Sequence, residues 1–414
     1  MVDEVREALR SQQSDVQRER RKKLVDDRRA LVPAAHELEL PSVEEFEALL
    51  KNVRKERNNK HYFRKLKNAL ASGDEYISSF LKTAHALEQL LSVAIRSPEV
   101  SCQLEALACI TNLACGNHKA TFRVLRAAGP YLVTFLNGSN PLLQEQSAWC
   151  LANVAMDCDK CRELMQCQGA SHALVKALQS VHPQVVDMAV LALQSYAQYS
   201  ADIAQDLVTR GLLEHLLPLF DRQSAKPDFI AQLGWIVFYV YSSGVMQSEN
   251  LEHTARLCHL VANRTVLYSA APKENAPALT SLLVCLADWS CRWQKLAVTV
   301  GRTPGMAATL GCLLNAPLLH LRREALWLMQ CLSGFLALHD LTDISAATSG
   351  IVPLLTPGAA CVPQVLTLLQ RLATSLPAFR NCLKGNLAVL AQLQQMTPEH
   401  QSECQKLLEI LQLP

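Results

Sequence analysis

Apolar residues return at helical spacing along almost the whole chain. Seven runs share one form: LEALACITNLA, EQSAWCLANVA, VDMAVLALQSYA, IAQLGWIVFYVY, PALTSLLVCLA, RREALWLMQCLS and PQVLTLLQRLA. Within each run the apolar positions recur every three or four residues, as on one stripe of a helix, and few stretches alternate as strands would. Set in register on Trp149, the runs place Ala108, Leu191, Trp235, Thr280, Trp327 and Thr367 at the equivalent position, with spacings of 41, 42, 44, 45, 47 and 40 residues. Four residues further on stand Asn112, Asn153, Ser195, Tyr239, Val284, Cys331 and Arg371. Gly and Pro gather at predicted unit boundaries such as Gly129-Pro130, His182-Pro183 and Thr303-Pro304.

A period of this length, with two or three helices per unit, is that of armadillo or HEAT repeats. Such units cannot bury their apolar faces alone and do so by stacking, which leaves a long concave face. The expected fold is all-α: a right-handed α-solenoid of about eight armadillo-like repeats over residues 49–414. A basic N-terminal helix over residues 1–34 precedes it, followed by an acidic linker and the start of the first helix at 35–48, capped by Ser42 ahead of Glu44 and Glu45. The segment from Glu249 to Pro277 reads as a loop. The chain's 414 residues carry 50% apolar content without Gly/Ser linkers, which suits a core that grows repeat by repeat.

No run is long and apolar enough to cross a membrane as a helix. The best candidate, Leu233 to Tyr241, is short and reads as a buried inner helix. Acidic and basic residues mix from Asp3 onward, unlike a signal peptide. The fifteen cysteines are therefore expected to be reduced, buried small hydrophobes, and the chain to work in the cytoplasm and nucleus.

Charge is uneven. Residues 1–70 hold 17 of the 40 basic residues, in RERRKKLVDDRR (Arg18 to Arg29) and KNVRKERNNKHYFRKLK (Lys51 to Lys67). The second cluster reads as a basic helix, either a binding surface or a solvated cap on the first repeat. From residue 71 onward 23 basic residues face 25 acidic ones, so the solenoid lacks the broad positive array that nucleic acid demands.

Trp149 and Asn153 lie four residues apart, on one helical face. An indole offers a flat surface to a cation or aliphatic stem, and a carboxamide both donates to and accepts from a peptide bond. Each could equally be a packing residue between layers. The segments QLEALACITNLACGNHKAT, EQSAWCLANVAMDCDKCRELMQCQGA and LRREALWLMQCLSG resemble repeats of importin-α, the armadillo adaptor for nuclear-localisation-signal cargo. That resemblance implies a peptide groove over Asn112, Glu145, Trp149 and Asn153, and a lysine pocket from Gly116, Thr121 and Asp157. It implies a second groove region near Trp235 and Trp327, where Tyr239 and Cys331 replace asparagines. It makes Arg18, Arg20, Arg21, Lys22, Lys23, Arg28 and Arg29 an importin-β-binding segment that also competes for the groove. The implied partners are proteins with basic linear motifs, and importin-β. Ala108, Leu191 and Ser195 depart from the pattern, so the rival expectation is an armadillo scaffold that has lost basic-peptide recognition.

Cys158-Asp159-Lys160-Cys161 is a CxxC, but no second CxxC or HxxxH completes a zinc set, and no strand precedes it as a thioredoxin-like site would need. Phosphate-loop, HExxH, GxSxG and kinase motifs are missing. The expectation is a protein that is no enzyme, with no cofactor, metal or small-molecule substrate.

Overall fold

A computed structural model describes residues 40–198, 200–245, 251–335, 362–384, 391 and 401–412. Arg18 to Arg29, and with them the whole of the expected 1–34 segment, lie outside the described residues. Among the described residues every regular element is helical. The chain divides into two compact units, Met1–His215 and Leu216–Pro414.

In the first unit the helices are α1 (Val43–Leu50), α2 (Lys60–Ser72), α3 (Asp74–Lys82), α4 (Ala86–Arg96), α5 (Val100–Leu113), α6 (His118–Asn137), α7 (Pro141–Ala155), α8 (Asp159–Cys167), α9 (Ala170–Ala177), α10 (Pro183–Tyr196) and α11 (Ala201–Thr209). The unit boundary falls inside α12 (Leu212–Asp221). The second unit continues with α13 (Pro227–Ser242), α14 (Leu251–Tyr268), α15 (Ala276–Arg292), α16 (Gln294–Gly301), α17 (Met306–Leu314), α18 (Leu319–Leu332), α19 (Val362–Ser375), α20 (Pro377–Lys384) and α21 (Gln401–Gln412).

All seven positions aligned on Trp149 fall inside helices: α5, α7, α10, α13, α15, α18 and α19. Within each unit these form the inner layer. In the first unit α7 packs between α5 and α10, and in the second α15 packs between α13 and α18. Their neighbours cover them on several sides, so buried residues occur around most of each helix, as in α15 from Ala278 to Ser290. Leu233 to Tyr241 lies within α13 and is buried there, apart from a half-exposed Trp235.

Local chemistry starts these helices where they start. Proline occupies the first turn of α7, α10, α13 and α15, where its missing N–H has no partner to lose. Ser42 accepts from the Glu45 amide while Glu45 reaches back to the Ser42 amide, a reciprocal cap that matches the sequence expectation. Between the two outer helices of a unit the chain turns through a left-handed residue. Gly169 (φ 86°) and Gly211 (φ 81°) supply it at no steric cost, and His85 (φ 59°) takes the same role ahead of α4.

Four sequence expectations change. Gly129-Pro130 is no boundary: α6 runs through it as one 20-residue helix, and the Gln168 side chain donates to the Leu125 carbonyl beside it. Lys51 to Lys67 is not one helix, because residues 51–58 are turns and α2 begins only at Lys60 behind its Asn59 cap. Instead α2 is an inner helix packed on α5. Much of the supposed loop from Glu249 to Pro277 is α14. Finally, Cys291 and Cys331 are joined by a disulfide 40 residues apart in sequence, where all cysteines were expected reduced. One repeat of separation is what brings them together, on adjacent inner helices. No helix among the described residues is long and apolar enough to cross a membrane.

Candidate peptide-binding face and a thiol cluster

The two register asparagines face the preceding repeat. Asn112 Nδ2 donates to the Lys67 carbonyl at 3.0 Å, and Asn153 Nδ2 donates to the Thr111 carbonyl at 3.3 Å and contacts Cys115 Sγ at 2.9 Å. Thr111 immediately precedes Asn112, so the bonds form a ladder from α7 to α5 to α2. Both side chains are buried, at 6% exposure. Buried carboxamides must be satisfied, and here the protein's own backbone satisfies them. Asn68, one step further down the ladder, is buried too.

The basic cluster on α2 is likewise partly consumed. Glu105 on α5 pairs with Arg64 at 3.1 Å and with Lys67 at 2.7 Å. These two cations therefore hold α2 to α5.

Trp149 is half-buried, its indole N–H turned away from solvent and without an acceptor among the described residues. One turn earlier stands half-buried Glu145; burial pushes its carboxyl pKa up, and the nearby charge of Asp187 adds to the shift. Asp187 is exposed and lies four residues before Leu191, the register Glu145 holds relative to Trp149. Two carboxylates thus repeat at one position on the adjacent inner helices α7 and α10. Asp187 escaped the sequence reading, although the same alignment places it.

The expected lysine pocket is differently disposed. Thr121 is 1% exposed, and its hydroxyl donates to the Ala114 carbonyl at 3.1 Å and the Asn117 carbonyl at 3.2 Å. Gly116 is half-buried, and its carbonyl lies 3.5 Å from that hydroxyl. Asp157 Oδ2 is 2.5 Å from His118 Nδ1 and 3.4 Å from Cys161 Sγ. Geometry turns Thr121 into the protein and commits Asp157 to a histidine and a thiol.

Around Asp157 the chain closes a tight group. Cys158 Sγ lies 3.6 Å from Cys161 Sγ and 3.7 Å from His118 Nδ1. Burial is the first cause of a raised Cys161 thiol pKa. His118 was one of twelve scattered histidines in the sequence; its position 40 residues before Cys158, one period, was the available signal.

In the second unit Trp235 is half-buried and stacks on Tyr239, with ring centroids 6.1 Å apart and planes at 24°. An aromatic pair thus replaces the Trp-Asn pair there. Trp327 is half-buried on α18, and Cys331 in its carboxamide slot is spent in the disulfide.

Against known proteins, no family model matches the chain. The chain is 36% identical over 77 residues to importin subunit alpha-1b of Oryza sativa subsp. japonica, which is 18% of this chain and only 14% of that relative. The fold aligns with an engineered protein at a TM-score of 0.75, with 20% identity and 95% of each chain covered. A designed armadillo repeat protein aligns at 0.45, with 18% identity over 70% of this chain and all of the other. The chain is an α-solenoid in fold.

Proposed function

We propose that this chain is a protein-binding adaptor that receives a short basic segment on the inner-helix face bearing Glu145, Trp149 and Asp187. The repeated carboxylate carries the reading: Glu145 and Asp187 share one register on adjacent helices and repel each other. A lysine or arginine delivered between them relieves that repulsion, and its aliphatic stem can lie on the half-buried indole of Trp149. Asn112 and Asn153 set the spacing of the helices that present this face. The short match to an importin-α subunit supports nuclear-import signals as the class of ligand, with the chain acting in cytoplasm and nucleus. The same resemblance makes Arg18 to Arg29 the contact for importin-β.

A second reading has its own observation. The asparagine donors and the Thr121 hydroxyl are satisfied within the fold, as in a scaffold that no longer reads basic peptides.

Fluorescence anisotropy of a labelled Lys/Arg peptide on the full chain separates the two. In the adaptor reading the peptide binds, and the double variant Glu145→Lys, Asp187→Lys weakens it more than about tenfold, since each lost charge-assisted contact is worth about 1.5–3 kcal/mol and 1.4 kcal/mol is a factor of ten. Absence of binding at low salt by the unaltered chain decides for the scaffold.

A further inference from the structure

We propose that His118, Asp157, Cys158 and Cys161 form a zinc site that clamps two successive repeats. The four donor atoms lie within 4.8 Å of one another. They come from successive repeats within the first unit: His118 opens α6, Asp157 follows the end of α7, Cys158 caps α8, and Cys161 lies in its first turn. Two thiols, one imidazole nitrogen and one carboxylate oxygen make the mixed S/N/O set that suits tetrahedral zinc rather than magnesium or calcium, which take oxygen.

The spacings fit the ion. Zinc bonds of about 2.3 Å to sulfur and about 2.0–2.2 Å to nitrogen and oxygen, at tetrahedral angles, put sulfur about 3.8 Å from sulfur and about 3.6 Å from nitrogen or oxygen. The corresponding distances here are 3.6 Å between the sulfurs, 3.7 Å from Cys158 Sγ to His118 Nδ1 and 3.4 Å from Cys161 Sγ to Asp157 Oδ2. The 2.5 Å contact between His118 and Asp157 is shorter than the about 3.4 Å that coordination sets, because a hydrogen bond joins them. The His118 side chain is 59% exposed and has room to move by that difference.

The surroundings hold the group in place. Buried Arg162 donates to the Ala155 carbonyl at 2.7 Å and pairs with Asp159, pinning the chain on both sides of Asp157 and Cys158. Binding releases the two thiol protons and exchanges the His118–Asp157 hydrogen bond for two bonds to the metal. It also occupies Asp157, so this carboxylate cannot at the same time serve a lysine.

Cobalt(II), a spectroscopic stand-in for zinc, tests the site in the reduced full-length chain. The expected result is one equivalent bound, with a thiolate-to-metal charge-transfer band and the strong visible absorption of tetrahedral cobalt, both bleached by zinc. His118→Ala should weaken binding more than about tenfold, since even outer-shell partners of metal sites are worth that much. Cys158→Ser with Cys161→Ser should abolish the thiolate band, while Cys167→Ser, an exposed thiol on the same helix, should leave it intact. A weak octahedral spectrum from the unaltered chain overturns the assignment whether or not the variants fold. So does a Cys158–Cys161 disulfide that persists in excess reductant, or a band that survives the double substitution.

Discussion

Asn153 illustrates how one side chain divides between fold and function. Its amide closes a step of the ladder to Thr111, so its loss leaves a buried carbonyl short of a donor. Asn153→Ala should lower unfolding free energy by about 1–3 kcal/mol in urea titration, whether or not a peptide is present. A substitution that weakens peptide binding at unchanged stability would instead assign the amide to the ligand. Glu324 is a second case. It is buried on α18, its Oε2 has no donor among the described residues, and burial lifts its carboxyl pKa to about 7 against a partial opposing effect of Arg323. The folded chain thus holds a proton there that the unfolded chain gives up at its ordinary 4.5. Stability from this group is complete below pH of about 4.5 and is lost as pH rises to about 7, a change of about 3 kcal/mol at 1.36 kcal/mol per pKa unit. Glu324→Gln should flatten the dependence of thermal midpoint on pH across that window; an unchanged slope refutes the assignment.

At the scale of elements, the inner helices pack by register. Gly234 on α13 faces Ser281 on α15, and an added Cβ would lie 2.4 Å from Ser281 Oγ and 2.8 Å from its Cβ. In the same contact Cys285 Sγ reaches the Gly234 carbonyl at 3.1 Å. Gly234→Ala should force the two helices apart and cost about 1–3 kcal/mol despite the better helix propensity of alanine, read from the denaturation midpoint. A neutral or stabilising result would show that the contact yields easily. On α5 the thiol of Cys109 likewise reaches a backbone carbonyl of the adjacent inner helix, that of Phe63 on α2, at 3.5 Å. Small thiols recur in contacts between adjacent inner helices, a packing use that composition alone could suggest but not locate.

For the whole molecule, the two units give stability a place. The Cys291–Cys331 bond lies within Leu216–Pro414 and closes a segment of 40 residues. Such a loop is worth about 2–4 kcal/mol in the usual range for disulfides. Cys331→Ser should therefore lower hydrogen-exchange protection in α15 and α18 while leaving α5, α7 and α10 at their original protection, because repeat stability is a sum of near-neighbour terms. Uniform loss along the chain, or an unmodified thiol at Cys291 in peptide mapping under oxidising purification, would count against the bond.

The repeat itself was legible without coordinates. A run of apolar residues at helical spacing, restarting every 40 to 47 positions, can only bury its stripe by stacking, and all seven aligned positions fall in inner helices. Ser42's cap and the proline starts were legible for the same reason: they act within a few residues of themselves. The tertiary structure decided what lies one period apart. The repeated acidic position at Glu145 and Asp187, the asparagine ladder, the Cys291–Cys331 bond and the meeting of His118 with Cys158 each join residues about 40 apart, distances that periodicity makes equivalent but that only packing makes neighbours. Sequence determined which faces exist; the depth at which each helix sits determined whether Thr121 and Asn153 face the protein or its ligand.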